Sequence, residues 1–134
     1  MSRTMQQAGN AAFTQDDTAV FEDSAGWTTV CRADDLVPDG GICVLARVAG
    51  KAEQIAIFSV AGELYAVANR DPIGGAAVLS RGITGSIGEH VVVASPLYKQ
   101  HYDLRSGRCL EDEDISLATW PVRLHGDAVQ LQLA

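Results

Sequence analysis

Few residues in this 134-residue chain have the type and spacing that catalysis or metal binding requires. The three cysteines, Cys31, Cys43 and Cys109, form no C-x-x-C or C-x-H pair, so each is expected to be a small buried apolar residue. Ser95 and His101 could act as nucleophile and base, but no acidic partner or G-x-S-x-G turn surrounds them. Asp71 and His101 could begin a mononuclear metal site, although two such residues on different elements more often form an exposed ion pair.

The segments that would position these residues are short and strand-like. In residues 54–60, Ile55, Ile57 and Ser59 alternate with Ala56, Phe58 and Val60, which predicts a strand buried on both faces. The Gly-, Asp- and Ser-rich links between segments predict turns, so the fold class is all-β, a small antiparallel sandwich or barrel. The predicted strands are Trp27–Cys31, Ile42–Val48, Gln54–Val60, Leu64–Ala68, His90–Ala94, Gln100–Leu104, Arg108–Leu110, Thr119–Leu124 and Ala128–Leu133. The aromatic residues Trp27, Phe58, Tyr65 and Trp120 are predicted to lie in the core.

Two parts of the chain depart from this pattern. Residues 1–25 are polar and charged, and they predict a flexible N-terminal arm before a folded domain over residues 26–134. Residues 69–88 are rich in glycine and predict a long irregular segment, a kind that is often functional in a compact domain. This segment opens a loop-rich subdomain over about residues 69–110.

The net charge of −7 argues against nucleic acid or an anionic membrane as a partner, and no transmembrane segment is predicted. The absence of paired cysteines and of a secretory signal predicts a cytoplasmic location. Residues 69–108 nevertheless carry five basic and three acidic side chains, a net charge of +2, against −9 elsewhere. This split is either chance on a solvated surface or a basic docking end on an acidic body. The acidic run at 111–114 is predicted to be a solvated loop.

A family resemblance rests on two loops and on the residues after them. The order of a strand ending in YAVA (65–68), two loops, and then YDLRSGRCL (102–110) and WPV (120–122) resembles the Rieske [2Fe–2S] family. The likeness covers roughly residues 27–133. It implies a Rieske-like antiparallel β-sandwich whose smaller, loop-rich subdomain corresponds to the cluster-binding part.

The resemblance places the four ligand positions of that family on Asn69, Asp71, Ser95 and Tyr98. A Rieske centre needs two cysteine thiolates and two histidine imidazoles, and none of these four residues is either type. We therefore expect no cluster in this chain, and neither a cofactor-binding nor a catalytic residue. Hydrogen bonds from the replaced ligands are expected to hold the loops together, with Leu97 and Tyr98 packing in the space of the imidazole and iron.

One subgroup shares these replacements. The motifs N-x-D-P, V-L-S-R-G, A-S-P-L-x-K-Q and D-L-x-x-G-x-C-L-E-D-E resemble the small subunit of assimilatory NAD(P)H-dependent nitrite reductase. In that family a large subunit carries FAD, a [4Fe–4S] cluster and sirohaem, and reduces nitrite to ammonia in nitrate assimilation. The resemblance implies a non-catalytic subunit. From the net positive charge of residues 69–108, we expect it to dock on the large subunit through Arg70, Arg81, Lys99 and His101.

Two other functions remain open on the sequence alone. A Rieske-type ferredoxin that feeds an oxygenase would require Cys and His at positions 69, 71, 95 and 98, which this chain lacks. A free-standing binding module without a cluster needs no such residues. A pull-down with the large subunit would distinguish a nitrite reductase subunit from a free-standing module.

Overall fold

The computed structural model describes residues 26–133, which contain ten strands and two 3₁₀ turns joined by loops. The predicted arm at residues 1–25 lies outside this part, as does Ala134. The strands are β1 (Trp27–Arg32), β2 (Gly40–Val48), β3 (Lys51–Val60), β4 (Glu63–Ala68), β5 (Ile83–Ile87), β6 (His90–Ala94), β7 (His101–Asp103), β8 (Thr119–Trp120), β9 (Val122–His125) and β10 (Ala128–Gln132). The 3₁₀ turns are Ala33–Asp35 and Leu79–Arg81. No helix within residues 26–133 is long and apolar enough to cross a membrane.

The strands form three antiparallel sheets. A four-stranded sheet has the order β2-β3-β4-β8, and two three-stranded sheets have the orders β1-β10-β9 and β5-β6-β7. In the first of these, β3 pairs with β2 from Gly40↔Ser59 to Val48↔Lys51, and with β4 from Ile55↔Ala68 to Val60↔Glu63. The predicted all-β class is therefore confirmed.

Strand β3 supplies both hydrophobic cores because its side chains alternate between the two faces of the four-stranded sheet. Ile55 and Ile57 pack with Val129 and Leu131 of β10. Ala56 and Phe58 belong to the second core, which joins this sheet to the small sheet β5-β6-β7. The other buried members of the second core are Tyr65, Val67, Leu79, Val93, Tyr102, Leu104, Cys109 and Leu117. The predicted burial of β3 on both faces is thus confirmed.

Four local predictions need correction. The segment predicted to be irregular contains the 3₁₀ turn Leu79–Arg81 and all of β5, whose central glycine and polar neighbours conceal the strand pattern. Residues 108–110, predicted as a strand, make only isolated bridges. Cys43 is exposed rather than buried, although it lies opposite the buried Ala56, because β2 is the edge strand of its sheet and leaves the end of this face uncovered. Trp27 and Trp120 are partly buried, whereas Phe58 and Tyr65 lie in the core.

Candidate functional site

Two loops meet at one end of the molecule. The first, residues 69–78, follows β4, and the second, residues 95–100, follows β6; together they are called the tip below. Backbone hydrogen bonds close the first loop around Asp71 and the second around Ser95. The N–H groups of Asp71 and Gly75 donate to the carbonyl oxygens of Ala76 (2.8 Å) and Asp71 (2.7 Å). Ser95 donates to the carbonyl of Gln100 (2.9 Å), and its own carbonyl accepts from Lys99 (3.0 Å).

A hydrogen bond between side chains joins the two loops. The Ser95 hydroxyl donates to Oδ2 of Asp71, and both residues are buried. The other oxygen of this carboxylate, Oδ1, accepts the N–H of Ile73 at 2.8 Å. The structure therefore brings two predicted positions, 24 residues apart in the chain, into direct contact. Both oxygens of the buried Asp71 carboxylate accept hydrogen bonds, as a buried charge requires.

Asn69 ties the first loop to two further segments. Its Oδ1 accepts the N–H of Ser80 at 2.7 Å, and its Nδ2 donates to Oε1 of Gln54 at 3.1 Å. Its backbone N–H donates to the Gln54 carbonyl, and its carbonyl accepts from Leu79, both at 3.0 Å. Asn69 is buried, so its amide serves as an internal cross-link rather than as a group that could reach a ligand.

Tyr98 is the one ligand-position residue that lies at the surface. It is 47% exposed, and its neighbour Leu97 is 52% exposed. The Tyr98 ring packs directly on Gly74 of the first loop, so closely that a β-carbon at position 74 would collide with it. Tyr98 therefore closes a second contact between the loops while half of its side chain faces outward.

His101 is engaged elsewhere than predicted. Its Nδ1 lies 2.6 Å from Oε2 of Glu111, and its backbone N–H donates to Oε1 of the same carboxylate at 2.8 Å. Burial raises the pKa of Glu111, but the hydrogen bonds from His101 and the charge of that ring outweigh this effect, and the net shift of the pKa is downward. The proposed pair of Asp71 and His101 is thus replaced by His101 and Glu111. The Ser95 hydroxyl donates to Asp71, which leaves no Ser–His nucleophile pair.

A second histidine–carboxylate pair, which the sequence reasoning missed, holds the YDLRSG turn. Asp103 Oδ1 accepts the N–H groups of Arg105 (2.7 Å) and Ser106 (3.1 Å), and its Oδ2 lies 2.5 Å from Nδ1 of His90. Gly107 follows at φ +81°, where a β-carbon would collide with the Leu117 carbonyl. An aspartate two residues before the turn was the available signal, because such residues often bond to the backbone N–H groups that follow.

Tyr102 is a further residue of interest that the sequence did not indicate. Its side chain is fully buried in the second core, and within residues 26–133 its hydroxyl has no hydrogen-bond partner. Burial raises the pKa of this phenol, and the charges of Asp71, Cys109 and Glu111 raise it further. Tyr102 therefore stays protonated and is a core residue rather than an acid or base.

Of the predicted docking residues, Arg70 and Lys99 lie in the tip, Arg81 lies on the 3₁₀ turn that follows the first loop, and His101 begins β7 after the second. Arg70, Arg81 and Lys99 are exposed, and no ion pair with a carboxylate of residues 26–133 involves them. Arg70 donates one hydrogen bond, at 2.5 Å, to the Gly75 carbonyl. The structure thus places three of the four predicted docking residues as charges with no acidic partner in the described part of the chain, whereas His101 has Glu111.

The side chains at the four ligand positions do not fit a [2Fe–2S] cluster. An amide, a carboxylate, a hydroxyl and a phenol replace the thiolates and imidazoles that such a cluster requires. Three of the four are buried and engaged with each other or with the backbone. Within residues 26–133, no three His, Cys, Asp or Glu side chains converge where they could hold a metal ion.

Comparison with known proteins identifies the fold and the family. The model of the Rieske-like [2Fe–2S] domain family matches residues 26–132. The NADH nitrite reductase small subunit of Salmonella typhimurium is 38% identical over 108 residues, which are 79% of this chain and 96% of that protein. The chain belongs to the family of Rieske-like nitrite reductase small subunits. Within this family, the solution structure of the NAD(P)H nitrite reductase small subunit from Erwinia carotovora has a TM-score of 0.68 and 41% identity, covering 82% of this chain and 83% of that one.

A further match has a different architecture. A nitrite reductase [NAD(P)H] large subunit of Klebsiella oxytoca contains a segment that is 37% identical over 106 residues, covering 79% of this chain but only 11% of that protein. In that protein, a domain of this family is part of one much longer polypeptide.

Proposed function

We propose that this chain is a non-catalytic small subunit of a cytoplasmic NAD(P)H-dependent nitrite reductase, and that it carries no [2Fe–2S] cluster itself. The observation that carries the proposal is the joining of the two loops by Ser95 and Asp71, with Asn69 linked to Gln54 and Ser80. Side chains that bond to each other in this way are withdrawn from metal binding, and they supply the connection that a cluster would otherwise make. Family membership supports the rest of the proposal.

The partner would be a large subunit that performs the reduction of nitrite to ammonia. The Klebsiella protein supports this assignment. There, a domain of this family accounts for 11% of a large-subunit polypeptide, so the two are parts of one chain. Two domains that are fused in one organism and separate in another commonly bind each other where they are separate. FAD, a [4Fe–4S] cluster and sirohaem would reside in the large subunit.

Docking would use the basic residues around the tip. Arg70, Arg81 and Lys99 have no acidic partner within residues 26–133 and would meet carboxylates on the large subunit. His101 would contribute through its second ring nitrogen, since Nδ1 is held by Glu111. The acidic remainder of the chain would stay in solvent.

Two measurements test the proposal. Co-expression with the large subunit should yield a complex that survives purification, and failure of the two chains to associate would overturn the assignment. Iron and zinc analysis of the purified small subunit should find no stoichiometric metal, and its absorption spectrum should show no visible band. A full complement of iron with a visible band would contradict the absence of a cluster.

A further inference from the structure

We propose that Ile73, Leu97 and Tyr98 form an apolar anchor that inserts into an acid-rimmed apolar pocket on the large subunit. This inference rests on the proposed function and adds to it the part of the surface that would hold the partner. The basic side chains Arg70, Arg81 and Lys99 would mainly speed the association of the two subunits. Buried aromatic and aliphatic side chains supply most of the affinity in protein complexes.

All three side chains are exposed, and they lie on the two loops of the tip. Their exposed fractions are 38% for Ile73, 52% for Leu97 and 47% for Tyr98. Ile73 precedes Gly74, on which the Tyr98 ring packs, so the anchor spans both loops. Clustered large apolar side chains rimmed by charges are typical of interaction sites on monomeric proteins.

The anchor is held in place before any partner arrives. The Ser95 hydroxyl bonds to Asp71, and the turn at residues 95–99 is closed by the N–H of Lys99 donating to the Ser95 carbonyl at 3.0 Å. Lys99 adopts a φ of +68°, a conformation that disfavours residues other than glycine and that tends to persist where function requires it. A surface with a fixed backbone loses little conformational entropy on binding.

The charges around the anchor select the chemistry of the partner. Arg70 and Lys99 lie next to the ligand positions 69, 71 and 98 in the chain, and neither pairs with a carboxylate of residues 26–133. Arg70 donates one hydrogen bond to the Gly75 carbonyl, which leaves further N–H groups of its guanidinium for a carboxylate. The complementary surface is an apolar pocket for Tyr98 and Leu97 with aspartate or glutamate at its edge.

The test measures, in the same assay, the binding of variants of the anchor and of control variants at exposed leucines outside the tip. The affinity of the full chain for the purified large subunit, with its cofactors, would be measured for Tyr98→Ala and Leu97→Gln, with Leu45→Gln and Leu124→Gln as controls. Leu45 and Leu124 are 61% and 51% exposed and lie on β2 and β9, outside the tip. We expect the anchor variants to raise Kd on the order of 10- to 100-fold, and the controls to change it less than about threefold.

The outcomes separate the anchor from the proposed function. If the wild-type chain does not bind the large subunit, the proposed function fails and the anchor fails with it. If the wild-type chain binds and the anchor variants bind as the controls do, only the anchor is overturned. If the anchor variants instead cause a homodimer to dissociate and leave binding to the large subunit intact, the tip binds a second copy of this chain and the proposal is wrong. Circular dichroism and thermal unfolding would verify each fold, and Leu97→Gln serves as the decisive variant if Tyr98→Ala unfolds.

Discussion

The Ser95 hydroxyl donates a hydrogen bond to the buried carboxylate of Asp71, and this bond joins two loops that lie far apart in the chain. Ser95→Ala would leave one carboxylate oxygen buried without its donor. We expect the free energy of unfolding to fall by about 2 kcal/mol, the scale of a hydrogen bond to a charged group. Urea unfolding measures this loss.

Ser116→Ala is the matched control for this substitution. Ser116 is exposed, and its hydroxyl makes no hydrogen bond within residues 26–133. Its replacement should change the stability by less than about 0.5 kcal/mol. Equal effects of Ser95→Ala and Ser116→Ala would show that the bond does not hold the loops.

The contact between Gly74 and Tyr98 predicts a coupled pair of mutations. Gly74→Ala would drive a β-carbon into the Tyr98 ring and should cost about 1–3 kcal/mol of stability, as overpacking commonly does. Removing the ring in the double variant Gly74→Ala/Tyr98→Ala should abolish this cost. Thermal or urea unfolding of the four proteins in the cycle measures the coupling free energy.

A second glycine provides the control for that cycle. Gly85 lies on β5, where a β-carbon would meet no atom within 4 Å. Gly85→Ala should leave the stability unchanged or raise it slightly, because alanine restricts the unfolded chain. Additive effects of the Gly74 and Tyr98 substitutions would contradict the packing described above.

The pair of His90 and Asp103 predicts how stability depends on acidic pH. Burial raises the pKa of Asp103, but the hydrogen bonds from His90, Ser106 and Arg105 and the charge of His90 together lower it below its ordinary value of 3.8. A carboxyl whose pKa is lowered on folding stabilises the native state above its unfolded pKa, and this contribution is lost as the pH falls through the folded pKa. The wild-type protein should therefore lose stability below about pH 3.8.

Asp103→Asn should flatten this part of the stability profile, because the amide does not titrate. Unfolding in urea at a series of pH values between about 2 and 6 would compare the two proteins. Asp34→Asn, at an exposed aspartate on the first 3₁₀ turn, should keep the wild-type profile. An unchanged profile for Asp103→Asn would show that other carboxyls dominate acid unfolding.

The three cysteines should differ in reactivity toward a thiol reagent. Cys31 and Cys109 are buried, whereas Cys43 is exposed on β2. Partial burial raises the pKa of Cys43, so its thiolate is scarce at neutral pH and its reaction should be slower than that of a free thiol. A colorimetric thiol assay should find one group in the native protein and three after denaturation, and Cys43→Ser should remove the native one. Rapid reaction of a second native thiol would be inconsistent with the burial of Cys31 and Cys109.

Local patterns in the sequence were sufficient to predict most strands, because side-chain alternation and turn residues act over a few positions. Strand β3 was predicted from its alternating apolar residues. Strand β5 was missed, since Gly85 at its centre has weak strand preference and the strand is specified by pairing with β6. The exposure of Cys43 likewise depends on β2 being an edge strand, which is a property of the assembled sheet.

The candidate site likewise has features that the sequence predicts and features that depend on the assembled fold. The sequence identified Asn69, Asp71, Ser95 and Tyr98 through the family resemblance, yet it could not show which of them meet. The bond between Ser95 and Asp71 depends on the placement of two loops by different sheets. His101 pairs with Glu111 rather than with Asp71 because the chain returns to β7 after the YDLRSG turn, where the N–H of Leu110 donates to the His101 carbonyl at 2.8 Å.

The bond between Ser95 and Asp71 also bears on how the subunit is made. Both groups are encoded in the chain, so the bond between the two loops forms when the polypeptide folds. In a subunit without a cluster, as proposed above, a tip joined in this way would not depend on cluster biosynthesis and would offer no exposed inorganic centre for oxygen to damage. Folding of such a subunit would therefore require no supply of iron.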